Sequence, residues 1–254
     1  MRTWHMSGAG NDFIVVDARN RSVNMEALAK DLCAKYGADG FMALDTSCVA
    51  DIKLHFYNSD GSRAEMCGNG ARCICRYAFD NGIVGEEMRV ETDAGVVFGK
   101  RITETVYQVK LNTPKCIELD KKRGVDYAVV GVPHACVKLS NVDWNNTDDI
   151  ALKARELRYD PIFENGANVN FYSKIDENVV KILTYERGVE DFTLACGTGS
   201  GAVATILWQR GELSNGAVTL KNKGGELKVF VNEKNGEIDS VFLEGNAEIL
   251  KKMD

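Results

Sequence analysis

Long apolar runs are missing from this 254-residue chain. None approaches the roughly 20 residues that a membrane-crossing helix needs, so no membrane partner is expected. The opening MRTWHMSGAGNDF lacks the apolar stretch that follows the basic residues of a secretory signal, and the expected location is the cytoplasm. A basic excess is missing too. The net charge is −6, which speaks against a nucleic-acid partner, and the cluster KCIELDKKRG reads as a solvated loop. Histidine and proline are scarce, at three each. His5, His55 and His134 are scattered and no cysteine pair has C-x2-C spacing, so no metal site is expected. There is no G-x-G-x-x-G between strand and helix and no G-x4-G-K-[ST] loop, and MSGAGND fits neither. No cofactor is therefore expected, although spacing alone neither marks nor excludes a pyridoxal-binding lysine.

What the chain does have is eight cysteines. Without a secretory signal a disulfide framework is unexpected, and most of the eight read as small buried apolar residues. Two stand apart. AEMCGNGARC and TLACGTGSGA share the spelling Cys-Gly-x-Gly, at Cys67 and Cys196, and each opens a helical stretch. Gly82 and Gly211 both lie 15 residues further on (82 − 67 and 211 − 196), where a C′ glycine closes a helix. Gly95 and Gly224 both lie 28 residues on (95 − 67 and 224 − 196).

Elsewhere, alternating branched residues mark strands: FIVVD, DIKLHFYN, MRVET, GVVFGKRI, VYQVKLN, YAVVGVPHACVKL, NVNFYSKI, VVKILTYE, AVTLKN, ELKVFVN and SVFLEG. Two further helices are expected, Met25–Tyr36 with Leu28, Leu32 and Cys33 on its apolar face, and Thr147–Leu157. Strand, helix, strand, Cys-Gly-x-Gly helix and hairpin follow one another twice. An internal repeat of this kind implies an α+β chain of two similar halves. The expected halves are residues 1–112, completed by 246–254, and residues 113–245.

A helix N-terminus presents unpaired N–H groups and a partial positive charge, and glycines there let a ligand approach the backbone. A carboxylate suits such a place. The same field favours the thiolate of an adjoining cysteine. Two such motifs facing each other suit inversion of a stereocentre. One thiolate takes the α-proton from one face and the opposite thiol returns a proton to the other. Donors already in place stabilise the carbanion through its carboxylate.

The segments MSGAGNDF, KLHFYNSDGSRAEMCGNGARC, ANVNF, YERGVED and TLACGTGSGA closely resemble the diaminopimelate epimerase family, which are cofactor-independent amino-acid epimerases and racemases. The resemblance spans nearly the whole chain. It implies two pseudo-symmetric α+β domains, each a curled mixed sheet around a central helix, with the active site between them. It makes Cys67 and Cys196 the acid/base pair, with Cys196 taking the proton from the LL isomer and Cys67 returning it. Gly68, Asn69, Gly70, Gly197 and Thr198 then cradle the carboxylate, and Asn11, Asn58 and Asn168 contact substrate. Glu186 and Arg187 read the distal ammonium and carboxylate, and His134 with Glu186 tunes the cysteines. Cys73 and Cys75 pack the helix. A homodimer is implied by resemblance alone.

The chain departs from the family pattern at Val132, where asparagine is frequent, and at Phe192, where glutamate is common. Both bear on the distal end of the substrate and leave a histidine racemase as the rival reading, while retention of Glu186 and Arg187 favours diaminopimelate. A non-catalytic ligand-binding relative would not need two activated cysteines. A dithiol redox protein would lose activity under reductant, whereas an epimerase would gain it.

Overall fold

A computed structural model describes residues 2–64 and 67–253. The chain divides into two compact units: Met1–Lys110 with Glu244–Asp254 form unit 1, and Leu111–Leu243 form unit 2.

In unit 1 the chain runs through β1 (Thr3–Gly8), β2 (Asn11–Asp17), α1 (Met25–Tyr36), β3 (Gly40–Asp45), β4 (Ile52–Asn58), β5 (Arg63–Ala64), α2 (Gly68–Asp80), β6 (Glu87–Thr92), β7 (Gly95–Arg101) and β8 (Val106–Lys110). In unit 2 it continues as β9 (Lys115–Lys122), β10 (Val125–Val130), β11 (Val132–Lys138), α3 (Asp148–Arg158), β12 (Asn168–Asp176), β13 (Val179–Glu186), β14 (Asp191–Thr193), α4 (Gly197–Gln209), β15 (Ala217–Asn222) and β16 (Gly225–Lys234). Strand β17 (Glu237–Asn246) carries the chain back towards unit 1, and β18 (Glu248–Met253) completes unit 1 by pairing antiparallel with β1.

The two units repeat one pairing scheme. In unit 1, β1 and β2 are antiparallel, β2 and β3 parallel, β3 and β4 antiparallel, β4 and β6 parallel, β6 and β7 antiparallel. In unit 2, β10, β11, β12, β13, β15 and β16 follow the same sequence of senses. Each parallel step needs a crossover, supplied by α1 and α2 in one unit and by α3 and α4 in the other. Short β5 and β14 occupy matching places against β4 and β13. The outcome is an α+β fold in which mixed sheets curl around central helices.

Local sequence explains the elements. Asn24 Oδ1 caps α1 by accepting from Ala27 N–H, and Gly37 closes it at φ 69°. Its Ala29 and Cys33 are buried while Leu28 and Leu32 pack half-buried against the same core. By contrast α2 is buried from Gly68 to Ala78, and α4 is buried from Gly197 to Leu207 apart from Thr198. Both are 13 residues long, and both are followed by a left-handed glycine, Gly82 at φ 67° and Gly211 at φ 68°.

Three expectations change. KCIELDKKRG is not a loop: Lys115–Lys122 form β9, a mostly exposed strand against β10, with Cys116 and Asp120 at positive φ breaking its regularity. YAVVGVPHACVKL is not one strand, because Gly131 at φ 72° reverses the chain and pairs Val130 with Val132. The glycine matching Gly95 is Gly225 rather than Gly224. Thr92 pairs with Gly95 and Asn222 with Gly225, because unit 2 holds one more residue between its central helix and its hairpin. No helix among the described residues is long and apolar enough to cross a membrane.

Candidate active site

Each unit presents one cysteine at the start of its central helix. Cys67 is the N-cap of α2, with extended backbone at φ −126° and ψ 125°. Cys196 is the N-cap of α4, with φ −121° and ψ 114°. The first helical bonds close over both: Ala71 N–H donates to Cys67 O (2.8 Å) and Ser200 N–H to Cys196 O (2.9 Å). The preceding amides of each first turn lie outside the helix's own backbone ladder. Burial acts strongly on the other buried cysteines. It pushes the Cys33 thiol up to about 11 and those of Cys73 and Cys75 up to about 12, and it raises Cys136 as well. Those four stay protonated.

In unit 1 the motif MSGAGNDF is a hairpin. Gly8 pairs with Asn11 across Ala9 and Gly10, both at positive φ, as a two-residue turn demands. Gly8 has no room for a side chain, since a Cβ there would lie 2.8 Å from Asn69 O. That close approach sets Asn11 beside α2. Asn69, 1% exposed, donates from Nδ2 to Asn11 Oδ1 (2.8 Å) and accepts at Oδ1 from Arg72 Nη2 (3.1 Å). Asn11 donates in turn to Asp39 Oδ2 (3.1 Å), which also accepts from Asp12 N–H (3.0 Å). Gly68 and Gly70 are buried in the first turn, and a Cβ on Gly70 would touch Met42 Sδ at 3.0 Å. Asn58 is exposed at the end of β4, where it holds the NSDG turn by donating to Ser62 Oγ (3.0 Å). It pairs with Gly40, itself paired with Phe13, so it shares the sheet end that carries Asn11. No hydrogen bond described here joins Asn58 to the Asn11–Asn69 pair.

In unit 2, Cys196 is 5% exposed, and its Sγ accepts from Gly199 N–H (3.4 Å) with Thr198 Oγ1 at 3.5 Å. Gly197 opens the helix. His134 and Asn168 are register partners on parallel β11 and β12. Asn168 Oδ1 accepts from Arg187 N–H (2.7 Å), and the Arg187 guanidinium donates to Asn165 O (2.9 Å). Glu186 ends β13, where burial raises its carboxyl above the usual range and a hydrogen bond from Thr193 only partly opposes this.

His134 is fully buried, and burial, with the Arg187 charge adding to it, lowers it to about 3. It is therefore neutral, a hydrogen-bonding group rather than a charge. Asn170, absent from the residues expected by sequence, settles its tautomer. Asn170 Nδ2 lies 3.2 Å from Ala135 O, which can only accept, so the nitrogen is the donor there. The same nitrogen is 3.1 Å from His134 Nδ1. Nδ1 accepts, and the proton sits on Nε2, a buried atom with no hydrogen-bond partner among the described residues. The signal was present in ANVNF: Asn168 and Asn170 are two apart on one strand and share a face.

The departures read differently in three dimensions. Phe192 pairs with Tyr185 on β13 and packs its ring on Tyr185 (5.4 Å) and Phe171 (6.4 Å) in the unit 2 core. Asp191, one residue earlier, is the partner of Glu186. The phenylalanine therefore belongs to the core, and the position across from Glu186 keeps a carboxylate. Val132 opens β11 half-buried, beside the Gly131 turn. No group of three or more His, Cys, Asp or Glu side chains among the described residues is placed to hold a metal ion.

The model of the diaminopimelate epimerase family matches residues 3–113 and 127–250. A diaminopimelate epimerase of Aquifex aeolicus is 36% identical over 97% of this chain and 94% of its own length. One of Archaeoglobus fulgidus is 37% identical over 95% and 91%. Among solved structures, a phenazine biosynthesis protein of the PhzF family from Bacillus anthracis has a TM-score of 0.77 at 15% identity, covering 100% of this chain and 98% of its own. A probable proline racemase from Agrobacterium radiobacter, with bound carbonate, has a TM-score of 0.73 at 16% identity, covering 100% and 92%. At those identities the structures speak for the fold.

Proposed function

From the premise that the chain belongs to the diaminopimelate epimerase family, an isomerase family, we propose that it interconverts LL- and meso-2,6-diaminopimelate without a cofactor, in lysine and peptidoglycan precursor synthesis in the cytoplasm. The observation that carries the mechanism is the repeated N-cap cysteine, one on each 13-residue central helix. One cysteine as thiolate takes the α-proton and the other as thiol supplies a proton to the opposite face. The negative charge that develops spreads into the substrate carboxylate. First-turn amides, at Gly68, Asn69 and Gly70 of α2 and at Gly197 and Thr198 of α4, are donors of the kind that stabilise such a carboxylate.

At the distal end, Arg187 offers a fork suited to a carboxylate, while Glu186, with Asp191 beside it in register, offers negative charge to an ammonium. The core position of Phe192 supports diaminopimelate over histidine, since that residue does not make the distal end apolar. Asn11, Asn58 and Asn168 complete the polar lining, and neutral His134 donates from Nε2.

The test is incubation in deuterated water with LL-diaminopimelate and, separately, histidine. Deuterium is expected at one α-carbon of diaminopimelate, and Cys67→Ala and Cys196→Ala each abolish epimerisation. Exchange into histidine alone would overturn the substrate assignment, and near-wild-type turnover by either alanine variant would overturn the two-base mechanism.

A further inference from the structure

The two half-sites share their spelling but not their electrostatics. Five residues after each cysteine the repeat places Arg72 in unit 1 and Gly201 in unit 2. Gly201 packs into an apolar setting, where an added Cβ would meet Leu111 Cδ1 at 2.5 Å and Val130 Cγ1 at 3.4 Å. Arg72 is a guanidinium with no solvent exposure. It donates to Gly68 O (3.2 Å), Asn69 Oδ1 (3.1 Å) and, more distantly, Asn246 O (3.5 Å). All three acceptors are neutral. A buried cation without a counter-charge is costly, and arginine does not escape by losing its proton.

Burial weighs against the Arg72 charge, and among the described residues the ionisable groups that would offset it are the thiols of Cys73, Cys67 and Cys75. Burial holds Cys73 and Cys75 as neutral thiols. Cys67, half-buried at the start of the helix, is the one of the three left to carry an anion. Side chains of a helix lean towards its N-terminus, and the bond to Gly68 O shows Arg72 doing so, towards the residue that follows Cys67.

We propose that Arg72 is a positioning residue whose buried charge holds Cys67 as the resting thiolate, so that Cys67 is the base and Cys196 the acid in the free enzyme. It rests on the reading of Cys67 and Cys196 as the acid/base pair. The same guanidinium fixes the Gly68 carbonyl and the Asn69 amide, and through Asn69 it orients Asn11. Arg72 thus links the charge of the base to the geometry of the carboxylate cradle.

Among the described residues, the other titratable groups on α2 and the strands packed against it are raised by burial, ion-paired, hydrogen-bonded or exposed. Burial raises Tyr77, and it raises Tyr107 to about 12. Arg76 pairs with Asp80, Arg19 with Asp17, Arg101 with Glu86 and Lys100 with Glu87. His5 lies 3.4 Å from Asp12 and His55 lies 3.3 Å from Asp45. Asp39 accepts from Asn11 and Asp12, and Lys110 is exposed. Among the described residues of this group, Arg72 is the fully buried charge with no ion pair.

The experiment is alkylation by iodoacetamide across pH, read peptide by peptide by mass spectrometry, with exposed Cys48 and Cys116 as references. In the wild type the Cys67 midpoint is expected below that of Cys196. Arg72→Met should raise the Cys67 midpoint by about one to three pH units and leave that of Cys196 in place, whereas Arg72→Lys, which keeps the charge, should hold most of the depression. A wild-type Cys67 midpoint at or above that of Cys196, or one that Arg72→Met does not move, would overturn the proposal. If Arg72→Met does not fold, the wild-type order alone decides. The assay needs no substrate, so failure of the wild type to exchange the diaminopimelate proton would count against the proposed function and not against this one.

Discussion

Replacing Gly199 with alanine adds one methyl group, and the structure says where it goes. The new Cβ would overlap Asn170 Oδ1 and stand 3.2 Å from Thr184 Oγ1. Neither neighbour can give way cheaply. Asn170 Oδ1 accepts from Thr184 (3.0 Å), while its Nδ2 donates to His134 and Ala135, and all three side chains are at most 2% exposed. The matching residue of unit 1, Gly70, offers a control. An added Cβ there meets Met42 Sδ at 3.0 Å, the flexible end of an adaptable side chain. Overpacking a rigid site costs about 1–3 kcal/mol, and alanine returns at most about 1 kcal/mol of helix propensity over glycine. Gly199→Ala should therefore lose up to about 2 kcal/mol net, or up to roughly 8 °C in melting temperature for a chain of this size. Gly70→Ala should keep a melting temperature close to wild type. Gly199 N–H also donates to the Cys196 sulfur, so its displacement should lower turnover by about 100-fold. Thermal unfolding and epimerisation assays on both variants check this. Equal effects of the two substitutions would refute the idea that the asymmetry lies in what each glycine faces.

Two more predictions concern unit 2. His134 is held near 3 in the folded chain, below the ordinary histidine range, so the unfolded chain binds more protons between those values. Stability should then be full above about pH 6.5 and fall towards pH 3 by at most about 1.4 kcal/mol per pH unit. Urea midpoints at pH 7, 6 and 5 should show this slope, and His134→Gln should flatten it. Phe192→Glu would restore the residue common in the family, yet the ring packs on Tyr185 and Phe171. The variant should lose about 1–3 kcal/mol without gaining turnover, which denaturation and kinetic assays measure together.

The sequence shows most where a local rule decides. The Met25–Tyr36 helix follows from its period, its Asn24 cap and Gly37. The twin central helices follow from a glycine 15 residues after each cysteine. Rules fail where distant chain decides. Arg72 reads as an ordinary helix residue; it is fully buried, and one of its acceptors is the carbonyl of Asn246, 174 positions away. Phe192 reads as a change in the pocket, and only the register with Tyr185 and Glu186 turns its ring to the core. KCIELDKKRG reads as loop because its charges hide a strand that needs β10 as its template.

The discontinuity of unit 1 has a consequence for birth on the ribosome. Unit 2 is one uninterrupted stretch and can close as soon as it has emerged. Unit 1 waits, because β18 must still be added beside β1 and the carbonyls of Asn246 and Ala247 must still meet Arg72 and Arg76. Cys67 is synthesised first and Cys196 much later, yet the earlier cysteine is the last to acquire its surroundings. A half-made chain thus carries Cys67 in an unfinished setting until β18 has been made.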